Sequence, residues 1–162
     1  MRRGGWIGLA LWMAAFAAAP PAWAAASVRA GDERAEARAA TPASYETRLL
    51  ELVNYERSRR GLQPLRPRAC ADAYAARWST YLARNQVFRH QSLAPMLRSC
   101  GARQVGENIG NGSVSADAMM KVWMGSAMHR ANILNPRFGY IGLGATRSSS
   151  GRWYAVQDFV GF

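Results

Sequence analysis

Two histidines, His90 and His129, and one isolated carboxylate, Glu107, are the residues of this chain best suited to acid–base or metal chemistry. There is no third histidine, and Glu107 is the only glutamate after Glu56. Neutral imidazoles suit zinc, and a catalytic zinc keeps an open water position beside its protein ligands. With His90 and His129 as ligands, Glu107 serves as a third ligand, as an orienter or as a general base acting on bound water. Ser126 lies three residues before His129 and opens a hydrolase-like alternative, with Ser126, His129 and Glu107 as nucleophile, base and acid. No G-x-S-x-G elbow surrounds Ser126, and capping the helix that carries His129 already accounts for it. A third reading makes His90, Glu107 and His129 a polar network that ties loops to helices, with Asn108 and Asn132 bonding backbone nearby.

These residues must be held by the elements around them. Thr41-Pro42 predicts a helix start, and Tyr45, Leu49, Leu52, Val53 and Glu56 continue it at helical spacing to a stop at Gly61. The basic run Arg57, Arg59, Arg60, Arg66 and Arg68 reads as a solvated helix end. A second helix, about residues 69–88, carries the aromatic stripe Tyr74, Trp78 and Tyr81, and delivers His90 at or just beyond its end. The less favoured alternative is that a lone histidine there caps carbonyls at the helix end. Residues 91–105 read as loop. Gly106-Glu107-Asn108-Ile109-Gly110-Asn111-Gly112 reads as a tight glycine-rich turn beside a cleft. Ser115 caps a third helix to about Met124, and Ser126 caps a short fourth one that holds His129 in its first turn. Residues 140–146 and 153–160 read as strands, joined by the polar hairpin connection 147–152. Helices first and strands later indicate an α+β layering, with an antiparallel sheet covered by helices.

The chain opens on Met1-Arg2-Arg3, an apolar run from Trp6 to Ala19, two prolines and Ala22-Trp23-Ala24. That pattern predicts a signal peptide over residues 1–24, with cleavage near Ala24, so the mature protein is secreted or periplasmic. A spanning helix would need about 20 apolar residues. Losing Arg2 and Arg3 lowers the formal charge of +11 by two, to +9. Lys121 is the only lysine, so the excess is arginine. For an exported protein this favours anionic lipid or cell-wall polymers as partners, with no nucleic acid expected. Residues 25–40 lack large apolar side chains beyond Val28 and read as a flexible tether. Residues 41–162 make one domain, expected to be monomeric.

Two cysteines, Cys70 and Cys100, in an exported chain predict one disulfide. Its loop would contribute roughly 3–4 kcal/mol in the chain-entropy model. Two Cys and two His also match the tally of a structural zinc site, but no C-x2-C or H-x3-H spacing supports it.

Taken in order, Asn54-Tyr55-Glu56-Arg57, Gly61-Leu62-Gln63-Pro64-Leu65, Trp78-Ser79 and His90 resemble the first half of the CAP superfamily. This superfamily comprises the cysteine-rich secretory, antigen 5 and pathogenesis-related proteins, and its bacterial members are SCP-like extracellular proteins. Gly106-Glu107-Asn108-Ile109, Trp123-Met124-Gly125-Ser126, His129 to Leu134, Ile141-Gly142-Leu143-Gly144 and Gln157-Asp158-Phe159 resemble its second half. The resemblance covers about residues 44–162. It implies a three-layer α-β-α sandwich with a cleft lined by two His and two Glu, whose histidines can hold a divalent metal, usually zinc. His90 and His129 match the histidines and Glu107 one acid. Ser126 stands where many relatives carry the second acid, which weakens any mechanism that needs the full set.

Three functions follow as expectations. The first is a non-catalytic extracytoplasmic module that binds a lipid, glycan or other anionic envelope ligand, with a His/Glu cleft able to hold a divalent cation. The second is a zinc-dependent hydrolase of envelope material or peptides. The third is an interaction protein working through its arginine-rich face.

Overall fold

A computed structural model describes residues 22–162. The segment 1–21 lies outside the described residues, and with it most of the expected signal peptide. No described helix is long and apolar enough to cross a membrane.

The segment expected as a tether is instead helical, as α1 (Ala22–Ala39). Its alanines, arginines and glutamates are strong helix formers even without a large apolar face. Its last turn is docked on the sheet: Ala37 is buried, and its carbonyl accepts a 2.9 Å hydrogen bond from Trp153 Nε1. Next comes α2 (Pro42–Ser58), which starts where Thr41 and Ser44 cap each other reciprocally. A short strand β1 (Arg66–Pro67) leads to α3 (Ala69–Asn85), which ends three residues earlier than the aromatic stripe suggested, at Gln86 in left-handed backbone (φ 51°). The expected loop 91–105 contains a further helix, α4 (Ala94–Ser99). Cys70 and Cys100 form the predicted disulfide and tie α3 to the end of α4, so these cysteines are not zinc ligands.

The glycine-rich stretch is not a turn. It is the strand β2 (Gln104–Gly112), paired along its whole length with β4 (Trp153–Gly161). Between them in sequence lie α5 (Ala116–Gly125), α6 (Ala127–Ile133) and β3 (Tyr140–Arg147). The sheet order is β1-β3-β4-β2, antiparallel except for the two-residue β1–β3 pair.

β4 shows why the sandwich has three layers. Trp153, Ala155 and Phe159 face the cluster built on α2, α5 and α6, whereas Tyr154, Val156 and Val160 face α3. Alternate residues of a strand point to opposite faces, so helices cover both. The α3 side is especially close. A Cβ on Gly142 or Gly144 would lie 2.1 Å and 2.3 Å from the backbone of Ala71 and Ala75, so glycine is required there.

Beyond β1, the outer edge of β3 has no strand partner among the described residues. Asp72 Oδ1 accepts from Leu143 N (3.1 Å) and Glu46 Oε1 accepts from Ala145 N (2.8 Å), so two helices cover it with carboxylates. Arg57 also departs from expectation. Arg57 is only 1% exposed, and its guanidinium donates to the carbonyls of Gln63, Ile133, Asn135 and Phe138 at 2.8–3.1 Å. It ties the end of α2 to the chain between α6 and β3, where its buried donors are satisfied by backbone.

Candidate functional site

Among the described residues β2 is the last strand of the sheet, and its outer side meets no further strand. A cleft of about 430 Å³ lies along it, lined by His90, Glu107, Asn108, Ser126, Met128, His129, Ala131 and Asn132. All six cleft residues expected from sequence are thus brought together. They reach it from opposite faces of the sheet, because Glu107 and Asn108 are adjacent in β2 and their side chains alternate.

On the α3 side, Glu107 is buried and its Oε1 lies 2.5 Å from Nδ1 of the exposed His90. Gln91 completes the grip: its backbone N–H donates to Glu107 Oε1 (3.3 Å) and its Nε2 to Oε2 (2.8 Å). The same Nε2 donates to both oxygens of Asp158, at 3.2 and 3.0 Å. Asp158 stands opposite Glu107 in the β2–β4 ladder and is fully buried. Burial first, and the neighbouring Glu107 second, push its carboxyl from 3.8 up to about 8, against the opposing hydrogen bond from Gln91. At neutral pH this is a protonated acid beside an acceptor-rich glutamate.

On the α6 side the anchors are amides. Asn108 Nδ2 donates to the His129 carbonyl (3.1 Å) and to Gln157 Oε1 (3.0 Å). Asn132 Nδ2 donates to Asn108 Oδ1 (2.9 Å) and to the Glu107 carbonyl (3.1 Å). The scaffolding role expected for these two asparagines is what the bonds describe. His129 lies in the first turn of α6, half-buried, and its buried Nδ1 has no hydrogen-bond partner among the described residues. Burial lowers its pKa, and the nearby His90 lowers it further, so the imidazole is held neutral. Ser126 takes the cap position of α6 in extended backbone, but its side chain makes no capping bond, contrary to expectation. Among the described residues, Ser126 Oγ has no hydrogen bond to either histidine.

Sequence reasoning missed Gln91 and the role of Asp158. Gln91 looks like any loop polar residue. Asp158 did carry a signal, since Gln157-Asp158 interrupts an otherwise apolar strand that is buried on both faces.

The two histidines supply two imidazole donors, and Glu107 is already engaged by His90 and Gln91. Among the described residues no group of three or more His, Cys, Asp and Glu side chains is disposed to hold a metal ion. The set falls short of the three protein ligands of a catalytic zinc centre and does not fit one.

Residues 50–159 match the cysteine-rich secretory protein family, CAP. The chain belongs to this family. Within the CAP family, it is 37% identical over 125 residues to the protein YkwD of Bacillus subtilis, covering 73% of this chain and 48% of that one. It therefore spans about half the length of the curated relative it matches. Its fold is similar to that of an extracellular protein containing an SCP domain from Bacillus anthracis, with a TM-score of 0.67 and 24% identity, over 75% of this chain and 41% of that one. It is similar also to an outer surface protein of Borrelia burgdorferi, with a TM-score of 0.63 and 17% identity, over 71% of this chain and 90% of that one. These likenesses confirm the α-β-α CAP architecture.

Proposed function

We propose that this CAP domain is a non-catalytic binding module of the cell exterior, whose cleft takes a lipid or envelope-derived ligand. The observation that carries the reading is the pairing of a polar and an apolar wall in one open cleft. His90 and Ser126 offer hydrogen-bonding groups, while Ala131 and Met128, which is 82% exposed, offer an apolar rim. An unpartnered methionine beside such a cleft suits an amphiphilic ligand, because its flexible thioether adapts to irregular apolar shapes. Export rests on the expected signal peptide, and the extracellular and outer-surface proteins with the same fold support it.

A hydrolase is the second reading, favoured by the His90–Glu107 contact, which orients an imidazole as a base is oriented in many enzymes. Against it, Glu107 is tied to two neighbours and Ser126 is not bonded to a histidine. One experiment separates the two. Calorimetry with a lysophospholipid and with a muramyl peptide should show saturable binding of at least one, weakened at least tenfold by Met128→Asp and by His129→Ala, with the probe recovered intact. Probe cleavage that disappears in His90→Ala would establish the hydrolase instead. Binding unchanged by both substitutions would remove the cleft from the reading.

A further inference from the structure

Away from the cleft, α1 and the β3–β4 connection border a second cavity, of about 390 Å³. Arg34 and Arg38 line it from α1, Arg147, Ser149 and Ser150 from the hairpin, and Ser113 from the turn after β2. Among the described residues no acidic side chain lines it. Among the described residues none of the three guanidiniums is ion-paired. Arg34 and Arg38 are four apart on one helix, a like-charge spacing that is mildly unfavourable by a few tenths of a kcal/mol. A cluster of uncompensated cations around a concavity is relieved by an anion.

Arg147 and the hairpin are also ordered in advance. Arg147 Nε donates to the Gly151 carbonyl (3.3 Å) and one of its Nη atoms to the Arg38 carbonyl (2.9 Å), with the guanidinium 6.0 Å from the centre of the Trp153 ring. Its second Nη is engaged by neither bond. The hairpin is closed by Ser148 N to Arg152 O (2.8 Å) and Gly151 N to Ser148 O (2.9 Å), with Gly151 at φ +80°. Ser148 and Ser150 share a 2.9 Å hydroxyl contact, while the exposed Ser149 hydroxyl is unbonded among the described residues. Fixing the donors before the ligand arrives reduces the ordering that binding must impose.

We propose that this groove is a binding site for a phosphate group carried on a small organic ester. A phosphate carries about −1.5 to −2 charges near pH 7, with oxygens that planar guanidinium forks and hydroxyls match. The cavity is larger than phosphate alone requires and leaves room for the esterified part. The site shares no lining residue with the cleft, and α1 precedes the family-matched segment, so it stands or falls separately from the proposed function.

The test uses two probes at low salt on the purified protein: glycerol phosphate by calorimetry, and phosphatidylglycerol vesicles by co-sedimentation. The variants are Arg34→Gln with Arg38→Gln, and Arg98→Gln with Arg103→Gln as a control that removes equal charge elsewhere. Saturable glycerol phosphate binding is expected, at least tenfold weaker in the first pair and within twofold of wild type in the control. Ser149→Glu, at an exposed hairpin tip, should abolish it without depending on α1. The same variant pattern with vesicles alone would assign the phosphate to a lipid headgroup. No binding of either probe, or equal weakening in both pairs, would overturn the site.

Discussion

Glu107 and Asp158 stand directly opposite each other across the β2–β4 ladder, and a single amide, Gln91 Nε2, donates to both. Two carboxyls so placed, one of them fully buried, are not both readily ionised. Burial, and then the neighbouring Glu107, favour the protonated form of Asp158, and the loop carrying His90 and Gln91 is fastened to this pair.

Stability above neutral pH should therefore depend on Asp158. Its folded pKa is raised, from 3.8 to about 8, so its contribution is complete below about pH 4 and is lost as the pH rises through about 8. Glu46 and Asp72, raised by burial, act in the same sense, while the depressed His129 works below 6.5 and in the opposite sense. Melting followed between pH 6 and 9 should fall by at least about 5 °C in the wild type. Asp158→Asn keeps an acceptor for Gln91 and should flatten much of that slope. An Asn variant with the wild-type slope would show that Asp158 is already ionised at pH 6.

Glu107→Gln tests the coupling from the other side. It removes the like charge that is the second cause of the Asp158 shift. Carboxyl-resolved NMR titration should place Asp158 lower than in the wild type, though still raised because burial is the leading cause. An unchanged titration would mean that Glu107 does not feel Asp158.

Arg57→Met should destabilise the domain by at least about 3 kcal/mol, because four backbone carbonyls lose a buried donor. Denaturant unfolding measures it. A loss under 1 kcal/mol would return Arg57 to the role of an ordinary helix-end charge.

Replacing both Cys70 and Cys100 by Ala should cost about 3–4 kcal/mol, with the cleft ligand still bound where the fold survives. Thiol titration of the unfolded, unreduced protein should find no free cysteine.

Local signals made much of this fold legible. Thr41-Pro42 announced α2, the two strand-like runs 140–146 and 153–160 around a polar connection announced β3 and β4, and the cysteine count announced the disulfide. The cleft residues were legible as types, and as members of a family pattern, before any geometry. The misses have physical causes. β2 was hidden because glycine is poor in strands; at Gly110 packing prevails, since a Cβ there would lie 2.4 Å from Met119 Sδ. α1 was hidden because helix propensity without an apolar stripe resembles disorder. Arg57 was taken for a surface charge because its carbonyl partners at Ile133, Asn135 and Phe138 lie more than 70 residues away. Gln91 gains its meaning only when Asp158, 67 residues on, folds beside it.

The carboxylates at the rim of β3 bear on how copies of this domain meet one another. Leu143 and Ala145 are two residues apart, so their N–H groups point the same way, toward where an added strand would lie. Asp72 and Glu46 already occupy both donors with oxygens that cannot themselves donate. A strand from a second molecule would have to expel two carboxylates before making its first rung. That gives the chain a built-in defence against edge-to-edge polymerisation on this side, set by two acids on two different helices.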